Sequence, residues 1–374
     1  MRFLASALTA TIAAGLISGC SGNPAGPAGG GLPPQTSSQS ALAVSRDQNQ
    51  LSNPLITTAS RDLYVADAAD DTITVYNPQG TILVCSMSGP SAGINGPDAI
   101  SFDAADSLYV ANRNSSRVTV FRPCNNRPTQ TIETGVSNPT AVAVTRTGFV
   151  YVANAGSNSV TIYPPGNFTT PMQKLTRNIE NPQALAFDST GVLYVANGAT
   201  TTHPNGSVAV CTGGPAARTC SKTLVSPITA AINNPRALAI DGSDDVFVAN
   251  DASNGYVLEY SSFANGNGFV SPVIGQGELN DPNALVFDLS GHLCVSSGGN
   301  NEVLCFAGRN VFERLTSRDG IDHPVSLAVD PISGWLKVAN DYAKGSVTQY
   351  CASCANPSKI TNGINGPSSI AIAP

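Results

Sequence analysis

Ionisable chemistry is scarce in this chain. Charged residues make up only 12% of it, about half the usual ~25%. There are 3 His, and Glu occurs only at positions 133, 180, 259, 278, 302 and 313. That is a thin supply for acid–base catalysis. The net charge is −6, which argues against a nucleic-acid binder, because such a surface must displace counterions with cations. Helical periodicity is missing as well: no segment sustains a 3.6-residue period, which excludes a helical solenoid. Beyond residue 17 no stretch reaches about 18 uninterrupted apolar residues, the length a membrane helix needs. Disorder is excluded too, since 41% hydrophobic content with low charge can build a core. What the chain has in quantity is turn chemistry, with 35 Gly and 26 Pro.

The amino terminus reads as an address. Arg2 precedes an apolar run from Phe3 to Ile17, which is too short for a comfortable span. Ile17-Ser18-Gly19-Cys20 closes it. An aliphatic residue, two small residues and a Cys resemble the bacterial lipobox. That resemblance implies a signal peptide over 1–19, acylation of Cys20 and a lipid anchor in the cell envelope. Ser21 in place of Asp implies outer-membrane sorting if the cell is diderm. Residues 20–50 are rich in Gly, Pro and Ser and read as a flexible tether.

Although 374 residues would ordinarily suggest two or three domains, internal repetition points to one. Leu63-Tyr64-Val65-Ala66-Asp67 returns as Leu108-Tyr109-Val110-Ala111-Asn112, then near Tyr151, Tyr194 and Phe247, and in degenerate form at Cys294 and Lys337. The steps between those seven positions are 45, 42, 43, 53, 47 and 43. Ahead of six copies lies a second motif such as Pro182-Gln183-Ala184-Leu185-Ala186-Phe187-Asp188, opening at Pro97, Pro139, Pro182, Pro235, Pro282 and Pro324. A third strand such as Val118-Thr119-Val120-Phe121 and a weaker fourth follow. Four short strands at a period near 45 mark a propeller blade.

In the first strand, small and large apolar residues alternate, as in Ala184-Leu185-Ala186-Phe187. A period of two sends the two classes to opposite faces. Neither face can meet water, so the blades must stack and the ring must close. Gly366 to Ala373 repeats the first strand with nothing after it. The expected fold is therefore all-β: a seven-bladed propeller over 51–374, closed by its C-terminal strand. The Tyr-Val-Ala-Asn and Pro-x-Ala-Leu-Ala-Phe-Asp strands resemble the NHL-repeat and YVTN-repeat β-propellers of exported bacterial proteins. That fold hosts many activities, so the resemblance speaks to architecture and hardly to chemistry.

Apart from Cys20, eight cysteines remain, an even number that favours disulfides in an exported chain. Cys294 and Cys305 fall on facing second- and third-strand positions. Cys211 and Cys220 could bridge the third and fourth strands of blade four. Cys351 and Cys354 form a C-x-x-C that reads as a structural disulfide, with a redox pair or half a zinc site as alternatives; no second C-x-x-C supports zinc. Cys85 and Cys124 pair only by elimination.

The residues after each lead-in Pro vary while their neighbours repeat: Asp98, Thr140, Gln183, Arg236, Asn283, Val325 and Ser368. They come from different blades and should converge on the central funnel, with His323 beside them. We therefore expect a ligand-binding mouth made of Asp98, Thr140, Gln183, Arg236, Asn283, His323 and Ser368. Loop 198–207 would wall one side, and Arg236 would suit a carboxylate or a planar polar group. Gluconolactonase-type and streptogramin-lyase-type propellers resemble this fold, but the first needs metal-binding carboxylates and the second a His base. Neither set is evident, and no catalytic group, metal site or cofactor is expected. The leading expectation is a monomeric binding or interaction module for a protein, glycan or small molecule. The alternatives are a lactonase-like hydrolase or lyase, and a purely structural envelope protein.

Overall fold

A computed structural model describes residues 61–374 except 225–231, 252–253, 343 and 352–356, together with the backbone of Thr36–Ser38 and Leu42–Val44. Residues 1–19, Cys20 and Cys354 lie outside the described residues. The chain forms seven antiparallel blades, each built on four strands. Their innermost strands neighbour one another around a closed ring. This is a seven-bladed β-propeller, and no α-helix occurs among the described residues.

Closure follows from the last strand. Pro367–Ile372 is the innermost strand of blade one, beside Leu63–Asp67 from the start of the ring. Ile370 lies opposite Val65, and Ile372 opposite Leu63. Asp67 takes the place that Asn holds in other blades, and its carboxylate accepts the backbone N–H of Gly366 at 3.0 Å. Elsewhere a buried Asn does the same work, except in blade six, where the Ser297 hydroxyl accepts Asn280 N–H at 2.8 Å. Asn154 Oδ1 accepts Ser137 N–H at 3.0 Å, while its Nδ2 donates to Val152 O and Thr161 Oγ1 at 3.0 Å each. The Asn of the repeated strand is thus a clamp on the loop leading into the first strand.

The alternation of small and large residues builds the seams. Leu185 and Phe187 pack in one cluster with Ala141 and Ala143 of blade three. Ala184 and Ala186 pack on the other side with Leu238 and Ile240 of blade five. The repeated aromatic adds an edge-to-face contact across alternate seams. Tyr64 meets Phe102, Tyr151 meets Phe187 and Phe247 meets Phe287, with ring centroids 4.9, 4.9 and 5.1 Å apart. Such geometry adds to burial because a ring's positive edge faces a negative face.

Three disulfides have both cysteines described: Cys85–Cys124, Cys211–Cys220 and Cys294–Cys305. The last two join residues directly opposed in the strand register. Cys85–Cys124 ties the outer strand of blade one to blade two. Cys351 is also disulfide-bonded. Bonds of this kind persist in oxidising compartments. No helix among the described residues is long and apolar enough to cross a membrane.

Within the stretch read as a tether, Thr36–Ser38 and Leu42–Val44 pair with each other. The second runs parallel to the first strand of blade four, from Leu42 beside Leu185 to Val44 beside Phe187. An innermost strand has an unpaired edge facing the channel, and that edge accepts a further strand.

Candidate functional site

The first strands share an irregularity that builds the site. In each, the register shifts at the residue after the lead-in Pro, as between Pro182 and Ala184 or Pro235 and Ala237. A β-bulge leaves one residue out of the ladder and re-aims its side chain. The residue before the Pro adds a left-handed turn, with φ between 44° and 49° at Asn138, Asn181, Asn234, Asp281 and His323. Asn, Asp and His tolerate that region better than most side chains. Bulge and turn together deliver the variable residues to one end of the ring.

There they line a cavity of about 390 Å³. Asp98, Gln183, Arg236, Asn283, His323 and Ser368 all border it, with Val325. Thr140 is not brought to it. That residue is 1% exposed, and its hydroxyl donates to Pro182 O at 2.6 Å, staple-like, across the seam. Ser368 bonds in the equivalent way to Pro97 O while still bordering the cavity. Loop 198–207 contributes no lining residue. Thr200, Thr202 and His203 fold it back onto the Glu180 carboxylate instead.

Three acids join the expected set: Asp251, Asp281 and Asp341. Asp251 and Asp341 each follow the clamp Asn of their blade, and Asp281 precedes a lead-in Pro. Arg236 is already engaged: its Nε donates to Asp251 at 2.6 Å, and one Nη reaches Gln183 Oε1 at 3.5 Å. Its fork is therefore answered from within, which weakens the carboxylate-binding role expected of it. Asp98 pairs with Arg113 at 3.5 Å. Four carboxylates thus share the lining with one guanidinium and one imidazole.

Three of the four carboxyls are raised, and burial is the leading cause in each. Burial between the blades pushes the Asp98 carboxyl up to about 6, against the pull of Arg113 and Arg236. Burial also raises Asp281, with the neighbouring Asp251 carboxylate adding to it while His323 and Arg236 oppose. Asp341 is raised by burial as well. Among the described residues no group of His, Cys, Asp and Glu is arranged to hold a metal ion.

No protein-family model matches the chain, and no curated protein matches it. Solved structures do. A hydrazine synthase from Kuenenia stuttgartiensis is similar at 14% identity with a TM-score of 0.65, covering 82% of this chain and 99% of that one. A proposed 6-phosphogluconolactonase from Bacteroides uniformis matches at 12% identity and TM-score 0.61, over 83% of this chain and 99% of its own. Virginiamycin B lyase from Staphylococcus aureus matches at 8% identity and TM-score 0.54, over 85% and 97%. At such identities the likeness establishes a shared propeller fold and nothing of the chemistry.

Proposed function

We propose that this chain is an envelope lipoprotein of the NHL/YVTN-repeat type, anchored through Cys20, whose propeller is a binding module. Its funnel takes a small polar ligand that carries a positive group. The observation that carries this reading is the charge balance of the mouth: three raised carboxyls border it, and its one Arg is already paired. A ligand ammonium would relieve that imbalance, and Asn283, Gln183 and Ser368 offer polar partners for hydroxyls.

Glucosamine, which bears an ammonium and several hydroxyls, is a suitable probe for calorimetry. Asp98→Asn and Asp251→Asn should each weaken its binding by about 1.5–3 kcal/mol, the range for hydrogen bonds to charged groups. Binding should also weaken as pH falls through about 6, where Asp98 takes up a proton. His292→Ala, in a turn on the opposite face, should leave binding unchanged. Normal binding by both Asp variants, with a loss in His292→Ala, would place the working surface elsewhere. The anchor is tested separately: Cys20→Ala should abolish labelling of the protein by radioactive fatty acid, and absence of label in the wild type would refute anchoring.

A second reading is a hydrolase or lyase, and one residue favours it. A carboxyl raised to about 6 is suited to proton transfer near neutral pH. A proposed lactonase and a lyase are built on the same propeller fold. Lactone hydrolysis that disappears in Asp98→Asn would select it over simple binding.

A further inference from the structure

On the far side of the ring a second cavity of about 550 Å³ opens between blades three and four. The first strand of blade four begins at the funnel with Pro182 and ends here at Phe187, so the two cavities lie at opposite ends of the blades. Its walls are Tyr151, Phe187, Val192 and Pro215, with Arg218 among them and Arg146 exposed at the rim.

Arg218 is the unusual member. It is 5% exposed, yet among the described residues no carboxylate pairs with it. Nη1 donates to Cys211 O at 2.8 Å, whereas the buried Nε has no acceptor among the described residues. The guanidinium lies 5.5 Å from the Tyr151 ring centre and 5.6 Å from that of Phe187, which offsets part of its desolvation. Burial raises the Tyr151 hydroxyl, against the charge and hydrogen bonding of the neighbouring Arg218. Asp188 is the one acid in the lining, and its Oδ1 already holds its own turn, accepting Thr190 N at 3.0 Å and Val192 N at 2.9 Å.

A guanidinium cannot shed its proton, so a buried one without a counter-charge is costly. Its position is fixed before any ligand arrives. Gln173 of blade three holds the Arg218 main chain: its Oε1 accepts the backbone N–H at 3.0 Å and its Nε2 donates to the backbone carbonyl at 2.6 Å. Side-chain fork, aromatic walls and volume all suit one class of molecule.

We propose that this cavity is a second binding site, for a small organic carboxylate with a flat apolar body. The carboxylate would supply the missing counter-charge to Arg218, and the body would fill the space beside Tyr151 and Phe187. The proposal stands independently of the funnel.

Benzoate and benzyl alcohol, titrated into the full chain and followed by ligand-observed NMR, test it. Benzoate should saturate at millimolar concentration, and the uncharged alcohol should bind at least about tenfold more weakly. Arg218→Met should cost benzoate at least about tenfold. Because that change could disturb the fold, Gly214→Leu serves beside it. Gly214 is in the cavity wall, and a Cβ there meets nothing within 4 Å, so a larger side chain fits there without strain. It should cause a comparable loss. Ile332→Ala, at an exposed site elsewhere, should bind benzoate as the wild type does. Failure of benzoate to saturate, equal affinity for the alcohol, or wild-type affinity in both Arg218→Met and Gly214→Leu would each overturn the proposal.

Discussion

Removing the side chain of Ile370 tests ring closure directly. Ile370 is 0% exposed in the last strand and packs with Leu63, Val65 and Val347, across the seam between blades one and seven. Ile372 lies on the same face at 5% exposed. Truncating a buried Ile to Ala costs about 2–5 kcal/mol, the spread reflecting how far the site collapses. Neighbouring seams are formed by residues close in sequence, but this one joins the two ends of the ring. Little else compensates for its loss, so the upper half of that range is expected. Against a total stability of about 5–15 kcal/mol, one substitution would then remove a large share. Equilibrium unfolding in guanidinium is the assay, with the m-value checked for constancy so that the midpoint shift reports stability. Ile332→Ala is the internal control: the same atoms are removed at a site 65% exposed, where the change should stay within about 0.5 kcal/mol. If Ile370→Ala costs no more than Ile332→Ala, the last strand does not close the ring.

Lys337 gives a pH signature. It is 1% exposed, and burial pushes its ammonium from 10.5 down to about 8. The unfolded chain therefore binds the extra proton between those values, and stability should rise with pH, by about 2 kcal/mol from about pH 7 to about pH 9.5. Lys337→Met should flatten that slope; an unchanged slope would mean that Lys337 is not its source. Of the three disulfides with both cysteines described, Cys85–Cys124 closes the longest loop, with a separation of 39 against 9 and 11. Removing it should cost about 4 kcal/mol, against about 3 for either of the others, in the chain-entropy account. Reversal of that order in denaturant midpoints would refute the account here. Asn154→Ala should cost about 1–3 kcal/mol by stranding the Ser137 N–H, and a change below about 0.5 kcal/mol would remove the clamp role.

The blades were legible because each strand repeats a pattern whose period has only one physical solution. The same register placed Cys294 opposite Cys305 and the final Ile-Ala-Ile against Leu63–Asp67. The variable position after each Pro was legible as a break in the repeat. That Thr140 turns inward while Asp98 borders the cavity was not, because both occupy the same repeat position. Asp251 and Asp341 vary visibly after their clamp Asn, but only the three-dimensional structure shows that they border the funnel. Lys337 fills a Tyr position, and its partner Pro78 O at 2.8 Å comes from blade one, 259 residues away in sequence. Arg218 sits in an irregular turn with no counterpart in other blades, so periodicity carries no information about it.

The bulge after each lead-in Pro has an evolutionary reading. A residue outside the ladder is released from the small–large alternation that holds the blades together. Chemically dissimilar side chains, from Asp98 to Arg236 to Val325, occupy it with the strand on either side unchanged. The ring therefore behaves as a dial of single-residue settings, mutable without repacking a seam except at Thr140 and Ser368, which bond across one to Pro182 O and Pro97 O. A lineage could change what the funnel recognises one substitution at a time, at those settings whose side chains make no bond across a seam.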